Sequence, residues 1–183
     1  MSPADRLPAD RLAAPLAPAG DAAALKQAYS CFPSGVVAVC RASADGGLVG
    51  MSASAFTTVS LDPPLVSLCV RDASETWPQL RDAGELGVSV FAADQGDLCR
   101  RLAGPPAERF TGFVPLVQPG GAVFVPGATA HLACSLAGEF PAGDHTVVLL
   151  RIDALRSDPG VEPLVFHAST FRALEARRAL DDR

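Results

Sequence analysis

The sequence predicts a mainly β domain, a Greek-key or up-and-down β-barrel with short peripheral helices. About six or seven short apolar runs, bounded by turn residues and partly alternating with polar positions, are typical of antiparallel strands. Helical patterns do not follow every strand, so a doubly wound parallel sheet is not favoured. The chain has 183 residues, of which 49% are hydrophobic, and this is enough to bury one sizeable core.

The first predicted elements are a helix and a strand hairpin. Asp21 is expected to cap a helix over residues 22–30, because aspartate accepts hydrogen bonds from the free amides of a helix start. A strand over residues 36–42 follows, and a second begins at Leu48. Between them, residues 44–47 contain two glycines, which tolerate the positive φ of a tight turn.

The remaining elements follow from alternation, caps and breakers. A strand over residues 65–70 places Val66, Leu68 and Val70 on one face. Residues 103–121 are rich in glycine and proline and are predicted to form a long excursion from the core. The other predictions are a helix over 76–81, a strand over 86–91, a helix over 95–102 capped by Asp94, strands over 128–138, 145–157 and 164–167, and a C-terminal helix opened by Thr170.

The domain boundaries follow from composition. Residues 1–19 are expected to form a disordered tail, because they are rich in proline and alanine and repeat the pentapeptide Pro-Ala-Asp-Arg-Leu. The folded domain is placed at residues 20–176, and residues 177–183 are placed in a C-terminal tail.

Charge and composition exclude several classes of function. The formal net charge is −5 and no basic stripe is present, so nucleic-acid binding is not expected. No apolar run approaches the roughly 18 residues of a membrane span, and no secretion signal is recognised, which predicts a cytoplasmic protein without a membrane partner. The five cysteines are scattered, and no cluster has metal-ligand spacing, so neither a metal site nor a disulfide framework is predicted.

Familiar catalytic motifs are missing from the sequence. It contains neither of the two common glycine-rich phosphate loops and no Gly-x-Ser-x-Gly elbow. No pair of acidic or basic side chains stands out as a general acid and base. The sequence therefore assigns no catalytic residue.

Two polar segments remain as candidate binding sites. The stretch Gly50–Pro64 combines small residues and hydroxyls, which suits either a ligand edge approached by backbone amides or a polar strand face in water. It ends at Asp62, which the following proline drives into an extended conformation. In the second segment, Ser74 and Thr76 precede a predicted helix and suit either a phosphate site or an ordinary helix cap.

Taken together, these stretches resemble the flavin reductase-like family, which has the FMN-binding split-barrel fold. The resemblance spans residues 24–174. It rests on the order of short motifs, each weak alone, which are Phe32–Val36, Gly50–Pro64, Ser74–Thr76, Val88–Phe91, Ala93–Gln95, Arg109–Gly112, Gly143–Thr146 and Phe166–Phe171.

The resemblance implies a Greek-key split barrel that forms a homodimer, with a flavin groove near the subunit interface. It implies hydride transfer from NADH or NADPH to FMN or FAD, and release of reduced flavin to a partner monooxygenase. Two alternatives stay open, namely an enzyme that keeps its flavin and acts on an organic substrate, and a non-enzymatic flavin-binding protein. The flavin carries the difficult chemistry, which accounts for the missing acid–base pair.

The resemblance also assigns binding residues. Ser89 stands where relatives often have asparagine, and core packing is an equal alternative for Phe91. The nicotinamide cofactor is assigned to His145, His167 and Phe171, whereas His131 is expected to be structural. The residues assigned to flavin are Met51, Ser52, Ala53, Ser54, Ala55, Phe56, Thr57, Asp62, Ser74, Thr76, Ser89 and Phe91.

One residue departs from the family pattern. Glu75 places a carboxylate between Ser74 and Thr76, where it would repel a bound phosphate. Arg71 would offset this repulsion. We therefore hypothesise weak, exchangeable flavin binding.

Overall fold

The computed structural model describes residue 16 and residues 18–82 and 84–174. Three α-helices occur in this part of the chain, α1 Ala22–Ser30, α2 Trp77–Arg81 and α3 Gly96–Leu102. The strands are β1 Ser34–Gly35, β2 Val37–Ala42, β3 Leu48–Ala53, β4 Phe56–Leu61, β5 Pro64–Arg71, β6 Leu86–Val90, β7 Leu116–Val117, β8 Val123–Phe124, β9 Ala130–Ala142, β10 His145–Ser157, β11 Val165–His167 and β12 Thr170–Arg172.

Seven of the strands form one antiparallel sheet in the order β3-β2-β6-β9-β10-β5-β4. Its two outermost strands, β3 and β4, are neighbours in the chain and are separated only by Ser54 and Ala55. Such a connection bridges only about 10 Å. The end of β3 must therefore lie close to the start of β4, so the sheet is strongly curled.

Both faces of the sheet are covered by apolar side chains. On β2, Val37 and Val39 pack into one core with Leu68 and Leu150, whereas Ala38 and Cys40 belong to a second core. Successive side chains of a strand point to opposite faces, so a strand buried on both faces reads as a continuous apolar run. Each fully buried valine or leucine stabilises the fold by roughly 1.5–3 kcal/mol.

The local signals in the sequence are largely confirmed. Asp21 caps α1, and its carboxylate accepts hydrogen bonds from the amides of Ala23 and Ala24 at 3.1 and 3.2 Å. β10 has the predicted bounds, and β5 buries Val66, Leu68 and Val70 as expected. The chain is mainly β, as predicted.

The predicted cap of α3 is wrong. The helix begins at Gly96, and Asp94 makes no cap, because Gln95 occupies the N-cap position without a side-chain cap. The Gln95 side chain instead accepts a hydrogen bond from the Ala92 amide at 2.9 Å and donates one to the Pro126 carbonyl at 2.7 Å. These contacts tie the helix start to two loops.

The predicted C-terminal helix does not begin at Thr170. This residue opens β12, which pairs with β11 around the turn Ala168–Ser169. Phe171 packs edge-on against Phe166, with ring centroids 5.6 Å apart, so pairing and aromatic packing override the local helical signal. The continuation of that helix past 174, the 177–183 tail and most of the 1–19 tail lie outside the described residues. No helix in the described part of the chain is long and apolar enough to cross a membrane.

Candidate functional site

A surface groove brings together residues that are far apart in the sequence. It consists of a larger cavity of about 760 Å³ and a smaller one of about 250 Å³, which share Ser54 and Phe166. Its floor is the connection between β3 and β4, and its sides come from α1, α3, β5 and the β11–β12 hairpin. Volumes of roughly 300–1,000 Å³ are typical of sites for small molecules and cofactors.

The predicted flavin-binding residues 51–57, which we call the wall, divide between the groove and the core. Ser54, Ala55, Phe56 and Thr57 line the larger cavity, and Ser52 and Ser54 line the smaller one. The wall is held where the Ala55 carbonyl accepts a hydrogen bond from the Cys69 amide at 3.0 Å. The strand alternation sends the side chains of Met51 and Ala53 toward the core. Neither residue borders either cavity.

Three further predicted flavin residues do not line the groove. Ser89 and Phe91 are fully buried, and the Ser89 hydroxyl accepts a hydrogen bond from the Val125 amide at 3.0 Å. Phe91 packs in the second core, which was the alternative to ligand contact. Asp62 lies beyond the far end of β4, about 20 Å from Phe56 along an extended strand.

The phosphate candidates lie behind the wall, outside the lining of the two cavities. The Ser74 hydroxyl accepts a hydrogen bond from the Trp77 amide at 3.2 Å, so it satisfies the first amide of α2, although Thr76 is the N-cap residue. Thr76 is buried, and its hydroxyl accepts a hydrogen bond from Arg109 at 2.8 Å. This segment therefore meets the wall through a residue that the sequence did not assign.

Arg109 connects three parts of the site. Its Nη1 donates to the Thr76 hydroxyl and to the Gly50 carbonyl, both at 2.8 Å, and its Nε donates to the Gly104 carbonyl at 2.8 Å. These acceptors are neutral, and the ion pairs among the described residues do not include Arg109. Its motif Arg-Phe-Thr-Gly was a signal in the sequence, but 33 residues separate it from Thr76, so no local pattern links them.

The residues assigned to the nicotinamide cofactor lie in three places. His167 lines the larger cavity and Phe171 the smaller one. His145 starts β10 opposite Arg71, and its Nδ1 lies 2.7 Å from the Asp144 carboxylate. This contact holds the pKa of Asp144 below its usual range. His145 reaches the groove only through its neighbour Arg71, which lines the larger cavity.

His131 has a structural environment, as the sequence predicts. It is buried, its Nε2 lies 2.7 Å from the Val125 carbonyl oxygen, and its ring packs on Phe124. A separate cavity of about 440 Å³ borders His131 and Arg156. That cavity contains no residue assigned to a ligand, so the groove over 52–57 is the candidate site.

Cationic side chains border the groove although the chain has a net charge of −5, and one of them, Arg100, pairs with Asp97 at 2.8 Å. Lys26, Arg71 and Arg100 border the groove, and its lining contains no aspartate or glutamate. The Arg100 guanidinium lies 4.7 Å from the centroid of the Phe171 ring, a cation–π contact. Hydroxyls, aromatic rings and cations together suit a flat, anionic, heteroaromatic ligand.

Two of the five thiols are accessible. Cys31 and Cys69 are exposed, and Cys69 lines the larger cavity. Burial raises the pKa of Cys40 and of Cys134 to about 12. Burial also raises the pKa of Cys99, although the nearby Ser52 side chain opposes this in part. The buried thiols therefore stay protonated at neutral pH.

We expect a thiol reagent at pH 8 to label Cys31 and Cys69 rapidly in the folded protein, and all five cysteines in denaturant. Thiolates are the reactive species, and burial suppresses both access and ionisation in the other three. Mass spectrometry of the labelled peptides measures the rates. Fast labelling of Cys40 or Cys134 in the folded protein would contradict the packing described here.

Comparisons with known proteins identify the family. The family model "Flavin reductase like domain" matches residues 29–175. An NADH-dependent flavin reductase from Rhodococcus sp is 39% identical over 153 residues, covering 82% of this chain and 85% of the relative. The reductase subunit HsaB of a flavin-dependent monooxygenase from Rhodococcus jostii (strain RHA1) is 31% identical over 131 residues, covering 72% of this chain and 67% of the relative.

Among solved structures, the Streptomyces globisporus C-1027 NADH:FAD oxidoreductase SgcE6 in complex with NAD and FAD fragments superimposes with a TM-score of 0.80. It is 31% identical, and the match covers 93% of this chain and 100% of that chain. The family match spans most of the residues that form the groove. This chain therefore belongs to the flavin reductase-like domain family.

Proposed function

We propose that this chain is an NAD(P)H-dependent flavin reductase that transfers hydride from NADH or NADPH to FMN or FAD. The observation that carries the proposal is the groove, in which hydroxyls and cations but no carboxylate surround an aromatic-lined space. The family and the relatives named above support the same activity.

The residues of the groove fit a flavin. When bound, the flavin supplies the hydride-accepting chemistry. The connection Ser54–Ala55 is open to a ring edge, since no large side chain shields its backbone. Ser52 and Thr57 add hydroxyls, and His167 and Phe171 border the space for a nicotinamide. These residues bind and orient the two ring systems and exclude water, which is what hydride transfer requires of a protein.

At the finer level of the fold, we propose a Greek-key split barrel that forms a homodimer. The short connection that brings the end of β3 close to the start of β4 supports a barrel, and these two strands are not hydrogen-bonded to each other. Exposed apolar side chains such as Leu61 and Val114 leave surface for a second copy. We further propose a cytoplasmic protein whose reduced flavin serves a partner monooxygenase, as the HsaB name describes for that relative.

We propose that the flavin phosphate reaches the segment Ser74–Thr76 from the end of the groove at Arg71, whose carbonyl accepts a hydrogen bond from the Ser74 amide at 2.9 Å. Arg109, which already binds the Thr76 hydroxyl, would supply charge from the inner side of that segment. Replacing Arg109 with glutamine is expected to weaken FMN binding about tenfold, because charge-assisted hydrogen bonds contribute about 1.5–3 kcal/mol each. Riboflavin, which lacks the phosphate, should lose less affinity. Flavin fluorescence titration measures both affinities. Arg151→Gln is the control, since Arg151 is exposed and pairs only with Asp153. Equal losses for FMN and riboflavin would contradict a phosphate role.

The activity is tested by following NADH and NADPH oxidation with and without added FMN or FAD. Saturable turnover that depends on free flavin supports the reductase. Turnover only with an organic substrate would support the enzyme that keeps its flavin, and binding without turnover would support a carrier. Extended dialysis tests the exchangeable binding expected from Glu75, because tightly held flavin would survive it.

A further inference from the structure

We propose that the outer side of the groove, formed by Lys26, Tyr29 and Phe32, binds the adenosine diphosphate moiety of a dinucleotide, either FAD or NAD(P)H. We call these three residues the α1 wall. The inference rests on the proposed function and deepens it. A site for the adenosine diphosphate moiety would distinguish FAD and NAD(P)H from FMN, which lacks that moiety.

Helix α1 contributes nothing to the core. None of its residues is buried, and it is held by the Asp21 cap and by a hydrogen bond from the Ala168 amide to the Ser30 carbonyl at 3.0 Å. Lys26, Tyr29 and Ser30 lie at i, i+3 and i+4 spacing, which places them on one helix face. All three border the larger cavity. The helix therefore presents a face to the groove.

The aromatic rings of the α1 wall are open to a ligand. Tyr29 is 71% exposed and Phe32 is 77% exposed, and both border the same cavity. The isoalloxazine is proposed to occupy the opposite side, along Ser54–Thr57, so the cavity has room for a second ring. Aromatic side chains stack on purine faces without needing a fixed hydrogen-bond pattern. An adenine is the flat ring that both FAD and NAD(P)H carry.

The charges that border the larger cavity favour a pyrophosphate. Lys26 and Arg71 both border the cavity, and neither belongs to an ion pair among the described residues. The carboxylate of Asp144, which lies near Arg71, contacts His145 instead. Two cations that lack a carboxylate partner are complementary to the two negative charges of a diphosphate. FMN carries a phosphate but no adenosine diphosphate.

A chemical test uses the fact that Lys26 is the single lysine of the chain. An amine-acetylating reagent applied to the flavin-free protein will label it, and mass spectrometry of the α1 peptide gives the rate. Saturating ADP is expected to slow this labelling at least about fivefold, and adenosine should do so less. An unchanged rate with ADP would overturn the proposal. This readout does not require that the protein reduce flavin.

Measurements on a variant that lacks the aromatic rings of the α1 wall show whether the bound adenosine diphosphate moiety belongs to FAD or to NAD(P)H. If the double variant Tyr29→Leu with Phe32→Leu loses about tenfold more affinity for FAD than for FMN, compared with the wild type, the α1 wall binds FAD. If the KM of this variant for NADH rises about tenfold with either flavin, the α1 wall binds the nicotinamide dinucleotide. Phe140→Leu is the matched control, because Phe140 is an exposed ring that does not border the cavity.

If neither dinucleotide is affected, the proposal is wrong, and a changed oligomeric state in that case would mean that the rings contact a second copy. The outcomes remain distinct from failure of the proposed function. A wild-type protein that reduces no flavin but is protected by ADP would contradict the reductase alone. Normal reductase activity without ADP protection would contradict the α1 wall alone.

Discussion

Replacing Ser54 with tryptophan is expected to lower kcat/KM for FMN at least about a hundredfold, equal to about 2.7 kcal/mol of transition-state stabilisation. Ser54 is exposed and borders both cavities, so the indole would occupy the space proposed for the flavin ring. Stability should change little, by about 0.5 kcal/mol or less, because the side chain replaces water and not core. Steady-state NADH oxidation and thermal unfolding measure the two effects.

The matched control for the blocked groove is Val59→Trp. Val59 is exposed on β4, the strand that follows Ser54, and does not border either cavity. This variant should keep its flavin affinity and turnover. If Ser54→Trp also turned over FMN at the wild-type rate, the ring would have to bind elsewhere on the protein.

Replacing Gly87 with alanine is expected to destabilise the fold by about 3 kcal/mol, which is a large part of the roughly 5–15 kcal/mol typical of a domain. A Cβ atom at this position would lie 2.2 Å from the Val123 carbonyl oxygen and 2.7 Å from its amide nitrogen. These are backbone atoms of β8, and Val123 is itself buried in the second core. β6 lies between β2 and β9 in the seven-stranded sheet and β8 pairs with β7, so neither strand can move without disturbing its own pairing.

Urea unfolding of Gly87→Ala measures this cost. Gly84→Ala is the control, since a Cβ atom at Gly84 meets no atom within 4 Å. The control should unfold within about 0.5 kcal/mol of the wild type. A similarly small effect for Gly87→Ala would mean that β6 and β8 are further apart than described here.

Several features of the fold are predictable because they depend on neighbours in the chain. The Asp21 cap involves amides two and three residues away. The alternation of Val66, Leu68 and Val70 follows from the period of a strand, whichever strand lies beside it. By contrast, Thr170 has local signals for a helix start but forms a strand, because Phe171 packs on Phe166 and β11 provides the pairing partner.

The candidate site was predictable only in part. The resemblance located the wall Ser52–Thr57 and the residues His167 and Phe171, and all of these meet in one groove except the core-facing side chain of Ala53. Ser89 and Phe91 were assigned by position in a motif, but burial removes both side chains from the groove. Burial depends on the layer that covers a strand, and that layer comes from residues more than 30 positions away, such as Val125.

The sequence by itself determined the β class, the Asp21 cap of α1 and the small, hydroxyl-bearing segment that floors the groove. These features arise from backbone geometry and from contacts within a few residues. Only the tertiary structure decided that Arg109 meets Thr76 and Gly50, and that the α1 wall and Arg71 border the same cavity. Such contacts depend on strand order and on the curl of the sheet, because these bring distant segments within hydrogen-bonding reach.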